Sequence, residues 1–136
     1  MTDLNEVFDF IDHERDDVRK MATQGLAQHS KDNTTLTEIL RTDKEKAAKL
    51  VSLVSPKNVP VLGDVLTTLI NVSGDATVVE VLTESNLLEK LMRLLDGLQH
   101  VDNTPAPVVG ALQELTLMLL NNMTASHICA AEDLLQ

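Results

Sequence analysis

The chain has 136 residues, 43% apolar and 24% charged, which suits one folded domain with its own hydrophobic core. Its apolar stretches fall far short of the roughly 20 residues that span a bilayer, and its first residues lack the basic start and apolar core of a signal peptide. The single cysteine, Cys129, has no partner for an internal disulfide, which suits a reducing compartment. We therefore expect a cytoplasmic protein, with the nucleus as the other option, and no membrane contact.

The charge balance is acidic, with 21 Asp and Glu against 11 Lys and Arg and a net charge of −10. Most of the excess lies in the second half of the chain, where no Lys or Arg follows Arg93. The chain contains no Trp or Tyr, and its aromatic residues are Phe8 and Phe10. Nucleic-acid binding usually needs a basic face and rings that stack on bases, so we expect no nucleic-acid partner. A protein partner is the expectation that remains.

Apolar residues recur at helical spacing along nearly the whole chain, and no stretch sustains the period of two that strands require, so the sequence predicts an all-α fold. Two kinds of helix repeat. One has apolar residues at i, i+3, i+4 and i+7: Leu4, Val7, Phe8 and Ile11; Ala47, Leu50, Val51 and Val54; Leu88, Leu91, Met92 and Leu95. The other follows i, i+4, i+8 and i+11: Val18, Ala22, Leu26 and His29; Val61, Val65, Leu69 and Val72; Leu112, Thr116, Leu120 and Met123. Successive copies lie 41 to 43 residues apart, except that the last copy of the second kind follows after 51.

The extra residues of the last copy fall between Gly97 and Pro107, a segment whose Gly and Pro residues predict a loop insertion. A period of about 40 to 47 residues with two or three helices is typical of armadillo and HEAT proteins, whose repeats stack into a solenoid. We predict a right-handed armadillo/HEAT-like α-solenoid of about two and a half repeats. The alternative is an irregular helical bundle.

The repeats divide a single domain, residues 1–136, into four parts. Repeat 1 covers about 1–30, repeat 2 about 34–74, repeat 3 about 76–124 with the insertion at 97–107, and a partial repeat 125–136. Because the partial repeat lacks a long helix, we expect an N-terminal fragment of a longer chain, able to self-associate through its unfinished edge. The inner helices, at 17–30, 59–73 and 107–123, are expected to line the concave face, where solenoids bind partners.

Helix starts are predicted where a capping side chain precedes a Glu by three residues. This spacing occurs at Asp3, Thr35, Thr42 and Asn86. Thr35 and Thr42 bracket a predicted helix of barely two turns.

The segments Leu69-Ile70-Asn71-Val72-Ser73 and Leu120-Asn121-Asn122-Met123-Thr124 resemble the Leu-x-Asn-Leu end of the armadillo inner helix. In nuclear-import adaptors of that family, a Trp four residues before the Asn completes the site for an extended basic peptide. No Trp stands at those positions here, so the resemblance implies the fold and a binding face without the import activity. It gives six candidate partner-binding residues on the concave face: Gln24, Gln28, Thr67, Asn71, Met118 and Asn122.

A narrower resemblance spans the chain. It rests on Val7-Phe8-Asp9-Phe10-Ile11, on Asp17-Val18-Arg19 with Ala22, on the proline-bearing insertion, and on Met118-Leu119-Leu120-Asn121-Asn122-Met123-Thr124. These segments resemble the first third of the sequences in a eukaryotic armadillo-like family, the chaperones dedicated to the folding of elongation factor 2. The resemblance implies a chaperone adaptor that binds new elongation factor 2 and the cytosolic chaperonin, with no catalytic residue. The alternative is an armadillo-type scaffold for another protein.

Residues that carry chemistry are sparse. The five glycines are isolated, so no phosphate-binding loop is expected. His127 and Cys129 are two residues apart, which on a helix separates them by about 200°, and no second pair completes a zinc site. We expect no metal, no cofactor and no enzyme activity. A small thiol hydrolase using Cys129 and His127 is the remote alternative.

Three Asn-x-Ser/Thr sequences, at Asn33, Asn71 and Asn122, are glycosylation acceptors only in secreted proteins, so we interpret them as structural. Two roles stay open for Asn71 and Asn122, which either bind a partner or tie down the turn after their own helix. The acidic residues around Arg15 are either a solvated face or a docking patch for a basic partner.

Overall fold

The computed structural model describes the backbone of residues 4–31, 34–100 and 104–135 and the side chains of residues 6–31, 35–100 and 104–125. Within these ranges the chain is helical and contains no strand, which confirms the all-α prediction. The helices are α1 (Leu4–Phe10), α2 (Asp16–Ser30), α3 (Thr34–Thr42), α4 (Lys44–Ser52), α5 (Val59–Val72), α6 (Ala76–Glu84), α7 (Leu87–Leu98) and α8 (Ala106–Leu135), with a 3₁₀ turn (Pro56–Asn58) before α5.

The three predicted inner helices correspond to α2, α5 and α8. Their first residues agree with the predicted starts to within one position. α8 continues to Leu135 because no Gly or Pro follows Gly110 to interrupt it. Residues 125–135, predicted as the start of a partial repeat, therefore continue α8 without a break.

The predicted helix caps are corrected by the structure. Thr35 lies inside α3, and Asn86 precedes α7 but its side chain makes no capping hydrogen bond, while Asp3 lies outside the described residues. α4 is capped by Asp43, whose carboxylate accepts a hydrogen bond from the Lys46 N–H at 3.2 Å. Thr42 is the last residue of α3 instead, and its hydroxyl donates to the Glu38 carbonyl at 2.9 Å. The prediction of Thr42 as the cap was wrong because the adjacent Asp is the stronger capping residue. The short helix that Thr35 and Thr42 were expected to bracket is α3.

The long helices pack side by side. α5 lies between α2 and α8, so the three long helices form one layer. α1 packs on α2 and α4, α3 packs on α6, and α7 packs on α8. The chain therefore places its hydrophobic core between the long-helix layer and the shorter helices.

The buried side chains follow the two sequence patterns closely in the middle of the chain. In α5 all four pattern residues are buried: Val61, Val65, Leu69 and Val72. Two pattern residues predicted to point inward are exposed instead, namely His29 in α2 and Met92 in α7. Both belong to the first or the last helix pair, which has a neighbouring pair on only one side among the described residues.

A close approach joins α7 to the 3₁₀ turn. Gly97 faces Pro56, and a Cβ at Gly97 would overlap the Pro56 ring. A glycine is therefore required here to let α7 reach the chain that enters α5.

An ion pair joins α3 to α6. It connects Arg41 of α3 with Asp75, the cap of α6, with Arg41 Nε 3.1 Å from Asp75 Oδ2.

Candidate protein-binding surface

The six predicted binding residues lie in pairs on the three long helices. They are Gln24 and Gln28 on α2, Thr67 and Asn71 on α5, and Met118 and Asn122 on α8. Residues four apart share one side of a helix. Because α2, α5 and α8 pack side by side and none of the six residues is buried, the six lie together on the uncovered side of the layer. We call this surface the open face.

The open face offers amides and thioethers more than charges. Met118 is 53% exposed, and Met21, three residues before Gln24 on the same side of α2, is 74% exposed. Sequence reasoning missed Met21 because it lies outside the apolar pattern of α2. The Thr67 hydroxyl is already used within α5, since it donates to the Gly63 carbonyl at 2.7 Å. Flexible Met side chains adapt to irregular apolar surfaces.

Asn71 links α5 to the preceding long helix. Its Nδ2 donates to Ser30 Oγ at 2.9 Å, and Ser30 Oγ donates in turn to the Ala27 carbonyl at 2.7 Å. Ser30 is the last residue of α2 and is buried. The bond therefore satisfies a hydroxyl between two helices, a role that neither of the two sequence hypotheses included.

Asn122 repeats the same bond one junction later. Its Nδ2 donates to Ser73 Oγ at 3.0 Å, and Ser73 Oγ donates to the Ile70 carbonyl at 2.7 Å. Ser73 follows the last residue of α5 and is buried. The two junctions of the layer, α2 with α5 and α5 with α8, are thus held by the same side-chain chemistry.

These bonds explain the recurring amide-x-hydroxyl tripeptide at the ends of the long helices. It reads Gln28-His29-Ser30, Asn71-Val72-Ser73 and Asn122-Met123-Thr124. The amide reaches back to the preceding helix, and the hydroxyl receives the amide of the next one. Of the three Asn-x-Ser/Thr sequences, those at Asn71 and Asn122 therefore have a structural role, as interpreted. Asn33 lies outside the described residues. Their recurrence at one helix end was the signal that could have predicted the Ser partners.

A half-buried carboxylate lies on α5 at the edge of the open face. Desolvation raises the pKa of Asp64, and attraction to Lys20 of α2 opposes that shift. The open face therefore carries a carboxylate whose charged form is less favourable than in water.

The acidic opening is largely neutralised by the chain's own bases. Asp17 pairs with Arg15 at 2.8 Å, Asp16 pairs with Arg19, and Asp12 lies 3.2 Å from Lys49 of α4. These contacts favour the solvated-face interpretation over a docking patch.

The side chains of His127 and Cys129 lie outside the described residues, so the hydrolase alternative stays a prediction. Where side chains are described, no group of three or more His, Cys, Asp or Glu residues is placed to hold a metal ion. None of the described helices combines the length and the apolar character needed to cross a membrane.

Comparison with known proteins gave no match to any protein-family model, curated protein or solved structure.

Proposed function

We propose that the chain is a non-catalytic protein-binding module, built as a right-handed α-solenoid of about two and a half repeats. Two observations support the solenoid. Corresponding helices contact each other in three series: α2 with α5 and α5 with α8, α1 with α4, and α3 with α6. The Asn–Ser bond recurs at both junctions of the long-helix layer. Stacking of corresponding elements is how repeat proteins build a continuous core.

The binding proposal is carried by the open face. It extends across three helices, contains no buried candidate residue and presents neutral amide and Met side chains. Asn71 and Asn122 serve this face by fixing the spacing of the helices, because their amides are used in helix-to-helix bonds. Gln24, Gln28 and Met118 are the side chains that meet a partner.

The proposed partner is newly made elongation factor 2, on its way to the cytosolic chaperonin. The support is the resemblance of the segments around Phe8 and Met118 to the chaperone family dedicated to that factor. An adaptor for a partly folded client needs a broad surface and no catalytic group. Met and amide side chains suit this task because they re-pack against surfaces that are not yet fully formed.

The test is capture of elongation factor 2 from a translating eukaryotic lysate in which chaperonin turnover has been slowed. Met118→Lys and Gln24→Lys place a charge on the open face and should each reduce capture by about tenfold or more, since a buried unpaired charge is costly. Ala48→Lys is the matched control, because Ala48 is exposed on α4, outside the long-helix layer. It should leave capture unchanged, and all three variants should keep the helix content of the parent chain.

The outcomes test the identity of the client and the location of the binding surface separately. If the parent chain captures no elongation factor 2, the client is wrong. If it captures the factor and both open-face variants capture it equally well, the face is wrong. Capture of a different protein that depends on Met118 would replace the client and support the scaffold alternative.

A further inference from the structure

The amide-x-hydroxyl series ends with one unmatched group at each end of the layer. Ser30 and Ser73 each receive an amide from the next long helix. Thr124, the third hydroxyl of the series, donates to the Leu120 carbonyl at 2.6 Å and is exposed. Gln28, the first amide of the series, is exposed on α2, which has no preceding long helix in the layer.

Apolar residues beside Thr124 show the same incompleteness. Leu66 and Leu69 precede Ser73 by seven and four positions, so they share its side of α5, and both are fully buried. Leu117 and Leu120 bear the same relation to Thr124 in α8. Leu117 is nevertheless 54% exposed, and Leu120 is half-buried. The side of α8 that corresponds to the covered side of α5 is thus apolar and open.

Large exposed apolar side chains are confined to the two ends of the molecule. Within the described residues they are Phe10 and Met21 on α1 and α2, and Met92, Val108, Leu117 and Met118 on α7 and α8. None lies on α3 to α6. We call the first pair, with Gln28, the first edge, and the second group, with Thr124, the last edge. Single exposed apolar residues are common, but here the described ones are restricted to the first two and the last two helices, where another helix could pack on them.

We infer that two copies of the chain associate head to tail, with the last edge of one copy against the first edge of the next. The contact continues the packing of α2, α5 and α8, so that Gln28 of the second copy donates to Thr124 Oγ1 of the first. Leu117 and Met118 of the first copy pack against Met21 of the second copy, so all three side chains become buried. Such a contact uses two different surfaces and does not close, so it yields open chains at high concentration.

The charges permit this contact despite the net charge of −10. From Ala106 to residue 125, α8 carries one charged residue, Glu114. Beside the first edge, Asp16 and Asp17 are already paired with Arg19 and Arg15 of the same chain. The last edge therefore brings little charge to the contact, so like-charge repulsion between the two edges is small.

Sedimentation velocity from micromolar to millimolar concentration tests the inference. The parent chain should form species that grow with concentration. Leu117→Glu on the last edge and Met21→Glu on the first edge should each weaken association by about 100-fold, because each buries an unpaired charge. Both residues are exposed in the single copy, so helix content should not change.

Mixing the two variants distinguishes head-to-tail contact from symmetric pairing of last edges. Leu117→Glu keeps an intact first edge and Met21→Glu keeps an intact last edge, so an equimolar mixture should form a 1:1 dimer that does not grow further. Thr124→Val, which removes the accepting hydroxyl, should weaken association by about fivefold. Ala48→Glu adds a charge at an exposed position of α4, away from both edges, and should leave association unchanged.

Any one of four results would overturn the inference. One is a parent chain that stays monomeric over the whole range. Another is a Met21→Glu variant that associates as strongly as the parent, which would indicate symmetric pairing through α8. The third is a mixture that stays monomeric, and the fourth is an Ala48→Glu variant as defective as Leu117→Glu. Gln28 and Met118 belong to both proposed contacts. Capture of elongation factor 2 is therefore measured on dilute monomer, where the two proposals succeed or fail separately.

Discussion

α5 and α8 carry the same side-chain pattern in different surroundings. α5 is enclosed by long helices on both sides, while α8 has a long-helix neighbour on one side among the described residues. Leu66 is fully buried in α5, and Leu117, at the corresponding place in α8, is 54% exposed. The comparison shows that burial here is decided by a helix's place in the stack, because the local pattern alone is nearly identical. Substitutions at corresponding positions of the two helices should therefore differ in a graded way.

The largest difference is expected between Leu66→Ala and Leu117→Ala. Removing the buried Leu66 side chain leaves a cavity between α5 and its neighbours and should lower the free energy of unfolding by about 2 to 5 kcal/mol. Leu117→Ala removes an exposed side chain and should change it by less than about 0.5 kcal/mol. Urea denaturation of dilute protein measures both. Equal costs would mean that α8 is covered as fully as α5.

The next difference is expected between two glycines, Gly97 in α7, which packs closely on Pro56, and Gly110 in α8, which has open space around it. Gly97 meets Pro56 at the entry to α5, so Gly97→Ala should cost about 1 to 3 kcal/mol through overlap with the proline ring. Gly110 has open space around the position of a Cβ in α8, so Gly110→Ala should stabilise the helix by about 0.5 to 1 kcal/mol. Thermal denaturation followed by circular dichroism should show melting temperatures shifted in opposite directions. A stabilising Gly97→Ala would show that the approach of α7 to Pro56 is not tight.

Sequence periodicity predicted the elements well because helix type and helix start are local properties. The starts of α2, α5 and α8, and the short α3, follow from apolar spacing, and Pro residues lie near the starts of α5 and α8. Exposure at the ends was not predictable in this way. His29 and Met92 occupy inward pattern positions and are exposed, because the pattern does not contain the number of neighbours that a helix will have.

The contacts of two candidate-surface residues were only partly predictable. The residue types at Asn71 and Asn122 suggested either partner binding or capping of a nearby turn. The observed partners, Ser30 and Ser73, are 41 and 49 residues away in sequence. A bond over that separation depends on the register between two packed helices, which composition and spacing do not specify.

The two Asn–Ser bonds provide the third comparison. Asn71→Ala and Asn122→Ala should each lower the free energy of unfolding by about 1 kcal/mol, because each leaves a buried Ser hydroxyl with one partner fewer. Double-mutant cycles with Ser30→Ala and Ser73→Ala should recover about that amount as coupling energy at both junctions. Gln28→Ala is the control, since Gln28 has no preceding long helix in the layer. Coupling at one junction and not at the other would contradict the equivalence of the two bonds.

The smallest expected difference in stability is between substitutions of two carboxylates, Asp64 in α5 and Glu114 in α8. Burial raises the pKa of Asp64 in α5 despite attraction to Lys20, so the charged form is disfavoured in the folded protein. At pH above the folded pKa this lowers the free energy of unfolding, and the deficit disappears as the pH falls below the unfolded value of about 4. Asp64→Asn should thus stabilise the protein at neutral pH, by less than about 0.5 kcal/mol because solvent screens a half-exposed group, and the gain should vanish near pH 3. Glu114→Gln is the control, because Glu114 is exposed on α8. Urea denaturation of each variant beside the parent at the two pH values measures the difference, and a destabilised Asp64→Asn at neutral pH would show that attraction to Lys20 outweighs burial.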